Sequence, residues 1–391
     1  MPRQIPGAAV LAAALVLGAT PAQATPADPL HLPAPTGRHH VGVTTLHLVD
    51  PARADPWPDA AGSPRELVVS VFYPATAVRD HPVAPHLSPG TAAGFGAVAP
   101  FYLPGIPATG VDWAATRTHA HTDAPARAVR APVVLYSPGL ADPRSLGTVV
   151  AEELASRGAV VVTVDHPGET SAVEFPGGRV RTIALPGDPR TSPALYRSLV
   201  DTRLADTRFV LDQVESLARG HNPDAEGHPL PPGLDRALDV RHLSIHGQGL
   251  GGTTATEALH EDPRLDAAVN LDGYLDYPPD TAGTPGDLLP AARDGVTKPL
   301  LLVGSEGFRD ERLDRSWSAL LAHNGPAART QVDGAAHWGL TDLGALVPQL
   351  QARGLVTAAD RERLVGNLPP RWAVTLLRGH VVDFLARWAG C

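Results

Sequence analysis

The sequence predicts an α/β fold: a mostly parallel central sheet with helices on both faces and antiparallel strands at its amino-terminal edge. Three observations carry this. Short continuous apolar runs at residues 132–136, 159–164 and 299–303 have the composition of strands buried on both faces. Amphipathic stretches alternate with them, the longest at residues 199–219, where Val200, Leu204, Leu211, Val214 and Leu217 recur at helical spacing. Strand, helix, strand in repetition implies parallel strands joined by crossovers. Third, a β-prone run at residues 240–245 enters the turn His246-Gly247-Gln248-Gly249-Leu250-Gly251-Gly252, and a small-residue helical pattern follows at 253–260. A strand that bends through glycines into a helix is where such folds place their chemistry.

Taken in order, residues 1–24 have the make-up of a secretory signal peptide. Arg3 gives a thin positive region, residues 8–19 an apolar core, and Ala22-Gln23-Ala24 a cleavage site. The apolar run is short for a membrane span, and no later segment approaches that length. Residues 25–391 are expected to form a single domain, exported from a bacterial cell. Strands at 41–50 and 66–73 flank a loop rich in proline and aspartate, and Val68, Val69, Val71 and Phe72 supply β-branched and aromatic side chains. Residues 74–130, mostly glycine, proline and alanine without periodicity, are expected to wrap the surface or border a site. His119 and His121 fall there; with no third ligand nearby they read as solvated loop histidines, not metal ligands. A helix at 146–157, a hairpin at 173–183 around Pro176-Gly177-Gly178 and a polar loop at 221–233 lead to the glycine turn. Beyond it come a strand at 267–271, a loop at 273–297 and a helix at 312–323. A strand at 330–332 and helices at 340–351 and 370–389 complete the chain.

Bulk properties narrow the function. A formal net charge of -9 argues against a nucleic-acid footprint and offers no basic patch to an anionic membrane. Cys391 is the single cysteine, so no intrachain disulfide forms, and a thiol at a chain end has no positioned base beside it. Lys298 is the single lysine, a coding bias that fits a GC-rich bacterial source.

Two templates compete for the turn. Gly247-x-Gly249-x-x-Gly252 matches the G-x-G-x-x-G of a dinucleotide (NAD) site, with Asp272, 23 residues after Gly249, near where an acid would hold a ribose. Against it, several strands precede the turn, whereas that fingerprint opens its domain, and nicotinamide cofactors are scarce outside cells. Gly247-Gln248-Gly249-Leu250-Gly251 also has the frame of a G-x-S-x-G nucleophile elbow, which uses more of the chain. Such a site needs an acid after a later strand and a histidine on a loop near the end, and Asp272 and His337 stand in those places. It also needs two backbone N–H groups as an oxyanion hole, which Leu140 and Leu250 would supply. The serine is missing, because the centre of the elbow is Gly249. Thr253, Ser244 and Ser137 are the nearest other hydroxyls. Thr253 would sit one turn into the helix, Ser244 lacks flanking glycines, and Ser137 belongs to the oxyanion strand.

The chain resembles the platelet-activating-factor acetylhydrolase-like group of α/β-hydrolases, including secreted bacterial lipase and polyesterase relatives. Leu67-Val68-Val69-Ser70-Val71-Phe72-Tyr73-Pro74, Ser137-Pro138-Gly139-Leu140, Val164-Asp165-His166, Asp206-Thr207-Arg208-Phe209-Val210-Leu211, Asn270-Leu271-Asp272-Gly273 and His337 with Asp342 five residues on carry the resemblance. It implies an α/β-hydrolase fold, hydrolysis of short acyl or polyester bonds without a cofactor or metal, Asp272 as triad acid and His337 as base. Polyesterase relatives place the acid one strand later, which makes Glu306 and Asp310 the alternatives. The family elbow reads G-H-S-x-G-G, so Gly249 implies a weak or inactive serine esterase. A small ester, lipid or polyester ligand is the expected partner, held near Trp338, Tyr274 and Leu140, with or without cleavage.

Overall fold

The computed structural model describes residues 28–281 and 283–388, so the leader at residues 1–24 and Cys391 lie outside the described residues. The first two strands, β1 (His40–Ala54) and β2 (Pro64–Ala75), pair antiparallel in unbroken register from His40↔Ala75 to Asp50↔Arg65. From Leu67 onward β2 is apolar at every position but Ser70 because both its faces are covered: Leu67, Val69, Val71 and Tyr73 join one core layer and Phe72 the other.

The stretch 74–130 is not the plain connection that its composition predicts. It contains β3 (Val83–Pro85), α1 (Pro89–Tyr102) and β4 (Arg117–Thr122). The α1 sequence lacks an apolar stripe, and its buried face is only Thr91, Ala92, Phe95 and Ala99. What holds it is close approach: a methyl group on Gly94 would fall 2.3 Å from the Ala172 Cβ. His119 and His121 are corrected with it. They lie on β4, not in a loop, and each ring nitrogen meets a backbone carbonyl, His119 Nε2 with Leu32 O at 3.0 Å and His121 Nδ1 with His81 O at 2.7 Å.

From here the expected alternation appears. β5 (Ala131–Ser137), α2 (Thr148–Arg157), β6 (Val160–Asp165) and the hairpin β7 (Ala172–Glu174) with β8 (Val180–Thr182) come in order. Then follow α3 (Pro193–Ala218), β9 (Leu238–Gln248), α4 (Leu250–Glu261), β10 (Leu265–Leu271) and the short α5 (Pro290–Asp294). The chain continues with β11 (Leu300–Ser305), α6 (Glu311–Leu321), β12 (Ala327–Val332), α7 (Leu343–Ala352), α8 (Ala358–Val365) and α9 (Pro370–Trp388). Helix α8 has no counterpart in the sequence reading. Its charged sequence buries only Leu364 and Val365, and the Thr357 hydroxyl caps it by accepting from Asp360 N–H.

One ten-stranded sheet runs β12-β11-β10-β9-β5-β6-β2-β1-β4-β3. Strands β12 through β6 in that order are parallel, and β2 adds antiparallel to β6. Leu199, Val200, Leu211 and Val214 of α3 pack with Ala255 and Leu259 of α4 and Trp317 of α6 on one face. Val150 and Leu154 of α2 pack with Val381 and Leu385 of α9 on the other. The C-terminal ends of the parallel strands therefore share one edge, and the Ser137–Leu140 loop, Gly249, Asp272 and the chain after β11 all emerge there.

Candidate active site

The bend from β9 into α4 is tight because three glycines let backbones touch. A methyl on Gly247 would fall 2.2 Å from Gly251 O, on Gly251 1.9 Å from Ser137 O, and on Gly252 2.4 Å from Asn270 Oδ1. These glycines seat the turn against β5 and the β10 loop, which is a packing role. Gly249 lies between the strand and the helix at φ 55°, ψ −123°, in the left-handed region that penalises a Cβ.

His337 follows β12 in a single 3₁₀ turn, and its ring lies over Gly249: a methyl there would be 3.2 Å from His337 Nε2 and 3.4 Å from Cε1. On the far side His337 Nδ1 meets Asp272 Oδ2 at 3.1 Å. Asp272 caps the end of β10, is fully buried, and receives Ser305 N–H on Oδ1 (2.7 Å) and the Ser305 hydroxyl on Oδ2 (2.5 Å). The acid alternatives are engaged elsewhere. Glu306 accepts Gly334 N–H at 2.8 Å, and Asp310 caps α6 by accepting Leu313 N–H at 2.7 Å. Asp272 is thus the carboxylate that the structure brings to His337. Its burial and its full set of partners also remove the acid that a dinucleotide turn would need for a ribose.

Leu250 opens α4, so its N–H belongs to the helix-end donors that have no intrahelical acceptor. Leu140 follows β5 across the same edge and, like Gly249, is half-buried. Phe308 stacks on the His337 ring (centroids 3.9 Å apart, 23° between planes) and Trp338 meets it edge-on at 5.1 Å. Tyr274 packs on Phe308 at 5.2 Å and donates its hydroxyl to Asp310 Oδ2 at 2.6 Å. Trp338 therefore meets the histidine directly, whereas Tyr274 reaches it only through Phe308, a residue the sequence reading did not single out.

The other hydroxyls do not reach the histidine. Thr253 is buried with its hydroxyl donated to Tyr274 O at 2.7 Å, and Ser244 is buried within β9. Ser137 contacts a different imidazole: its Oγ lies 3.1 Å from His166 Nε2, and His166 Nδ1 lies 2.9 Å from Asp206 Oδ2. This Ser-His-Asp series has the residue types of a relay but is closed to substrate, its members being 2%, 1% and 0% exposed. Burial, followed by the Arg203 charge, pushes His166 down to about 4 and keeps it neutral. Burial alone would raise Asp206, but Arg65 beside it and the His166 hydrogen bond hold it well below the usual carboxylate range.

Sequence reasoning missed Arg203. Its fully buried guanidinium donates to Pro138 O (2.5 Å) and Gly139 O (3.4 Å) and pairs with Glu169 at 2.7 Å, which fixes the loop carrying Leu140. The signal was a charged residue within the apolar stripe of α3, between Val200 and Leu204. Asp142, on the same loop, was missed as well; burial pushes its carboxyl up to about 7. Among the described residues one cluster, Asp224, Glu226 and His228, has metal-ligand chemistry. It lies in the loop before β9, whereas the site follows the other end of that strand, and Asp224 already accepts from His47 N–H and His228 N–H.

A mostly parallel sheet with an elbow, an acid and a histidine at its carboxyl edge defines an α/β-hydrolase. The chain belongs to the esterases of that fold. It is similar to a solved ferulic acid esterase from Streptomyces cinnamoneus, 31% identical, with a TM-score of 0.71 over 92% of this chain and 93% of that one. A probable 1-alkyl-2-acetylglycerophosphocholine esterase of Arthroderma benhamiae is 26% identical over 90% of this chain and 87% of its own. The platelet-activating factor acetylhydrolase of Cavia porcellus is 21% identical over 66% of this chain and 58% of its own length. No family model matches. Among the described residues no helix is long and apolar enough to cross a membrane.

Proposed function

We propose that this protein is an ester-binding member of the family in which Gly249 occupies the nucleophile position, Asp272 and His337 are the remaining dyad, and Leu140 and Leu250 provide the oxyanion N–H groups. The observation that carries the reading is the position of Gly249: the direction its Cβ would take leads to His337 Nε2, 3.2 Å away. With no side chain there, no acyl-enzyme forms. Loss of a triad serine leaves roughly 10³–10⁴-fold acceleration over water, from the oxyanion hole and binding. The ligand is a small molecule whose carbonyl oxygen takes the two N–H groups, with its acyl or leaving group against Trp338 and Tyr274. The relatives' names supply two classes to try, 1-alkyl-2-acetylglycerophosphocholines and ferulate esters, and polyester fragments are a third. Export belongs to the same proposal, resting on Arg3 and Ala22-Gln23-Ala24; recovery from culture medium of a chain beginning at Thr25 tests it.

The central test is turnover of p-nitrophenyl acetate and butyrate together with labelling by a fluorophosphonate. The expected outcome is no label and at most slow hydrolysis, while an ester ligand raises the melting temperature. Robust turnover with labelling overturns the proposal. A second reading, slow hydrolysis by a water set in the space beside Gly249 and activated by His337, differs in that its rate disappears in His337→Ala without any label having formed.

A further inference from the structure

We propose that Gln248 stands in for the missing hydroxyl: its side-chain amide caps the Nε2 lone pair of His337 and locks the imidazole as a neutral, unreactive tautomer. This rests on the reading of Gly249 as the nucleophile position and adds to it the neighbour that fills the hydrogen-bonding role.

Asp272 accepts two hydrogen bonds from Ser305, at 2.7 and 2.5 Å, so it faces His337 Nδ1 as an acceptor and Nδ1 carries the proton. A neutral imidazole then presents a bare lone pair at Nε2. The atom opposite is Gln248 Nε2 at 2.7 Å, and an amide nitrogen can only donate. The same NH₂ reaches His337 O at 3.4 Å, so both of its hydrogens are directed at this one residue. Turning the amide over would set Gln248 Oε1 against the lone pair, two acceptors face to face. The partners therefore fix the orientation.

The other end of the amide supports the same picture. Gln248 is fully buried and its Oε1 has no hydrogen-bond partner; Asp142 Oδ1, buried beside the same loop, has none either. A methyl group on Gly139 would fall 2.4 Å from Gln248 Oε1 and 2.6 Å from Asp142 Oδ2, so both side chains converge over that glycine. Burial pushes Asp142 up to about 7, so near neutral pH its carboxyl is only partly ionised beside this amide. The histidine is then held from both sides, by Asp272 at Nδ1 and by Gln248 at Nε2.

A serine hydroxyl at residue 249 would have to compete with this amide for a single lone pair. Restoring the hydroxyl alone therefore restores little. Two measurements test the idea, one of them independent of catalysis. Diethyl pyrocarbonate acylates a free imidazole lone pair, and its rate at His337 is read by peptide mapping. His337 should react about tenfold faster in Gln248→Met, which keeps the length and loses the N–H, than in the unaltered chain. Gln248→Ala provides the same comparison should the methionine pack poorly. Equal rates in all three proteins overturn the proposal. In the second measurement, Gly249→Ser/Gln248→Met should hydrolyse p-nitrophenyl acetate with a kcat about tenfold above that of Gly249→Ser, at similar KM. A single variant as fast as the double overturns it too. If neither serine variant turns over while His337 reactivity rises as stated, the Gln248 contact stands and the reading of Gly249 fails.

Discussion

At φ 55° and ψ −123°, residue 249 occupies backbone space that glycine enters freely and any residue with a Cβ enters at a cost. Gly249→Ser is expected to lower stability by about 1–3 kcal/mol, the usual range for a strained functional residue. The 3.2 Å approach of its Cβ to His337 Nε2 adds to this rather than relieving it. A urea midpoint unchanged by the substitution would show that the bend is not strained. Arg203 carries a larger prediction. Arg203→Met leaves the Pro138 carbonyl without its donor and Glu169, which burial already pushes up to about 7, without its partner, and a buried polar group left unsatisfied costs about 1–3 kcal/mol, here for each of the two. Chemical denaturation measures it, and a loss under 1 kcal/mol would mean that the loop needs no such clamp. These residues also mark how far the site is legible in the sequence. Asp272 and His337 can be read from chain order, because an elbow fold puts the acid and base after particular strands. Arg203 leaves only the trace of a charge within the apolar stripe of α3, and Gln248 leaves none, because its role depends on which atom faces which and a glutamine beside a glycine has no spacing to betray it.

Elements were legible where burial writes a pattern. β5, β6 and β11 are apolar on both faces, and α3 repeats every three to four residues, so sequence and structure agree there. Helix α1 escapes because its contacts are made by backbone proximity, which small residues permit and periodicity does not record. Gly94→Ala is accordingly expected to push α1 off β7 and cost about 1–3 kcal/mol, as overpacked sites do. Gly96 on the same helix is the control: its methyl would meet Trp113 Cδ1 at 3.3 Å, a contact that a small shift relieves, and alanine favours the helix. Urea melts of the two variants should separate, with Gly94→Ala the less stable. If they coincide, close approach is not what holds α1. Strand β4 and helix α8 escape for related reasons, one short and paired to β1 at only two positions, the other burying only Leu364 and Val365.

Across the whole molecule, buried acids set how stability depends on pH. Burial pushes Glu152 and Glu257 up to about 8, and Asp142 and Glu169 up to about 7, all well above their unfolded values near 4. Between those limits the folded chain holds protons that the unfolded chain has released. The stability these groups contribute is therefore complete below about pH 4 and is lost as pH rises through 7 and 8. Two buried histidines work in the opposite sense. Burial pushes His246 down to about 3 and His166 to about 4, so each destabilises the fold below about pH 6.5, where the unfolded imidazole takes a proton and the folded one refuses it. Above pH 6.5 both are neutral in either state and only the acids count. The melting temperature should consequently fall between pH 6.5 and 8.5. Glu257→Gln, whose neutral amide cannot lose a proton, should flatten that decline. A melting temperature that rises over this interval, or a Glu257→Gln slope equal to that of the unaltered chain, would mean that these carboxyls ionise within the fold at ordinary values and that water reaches them.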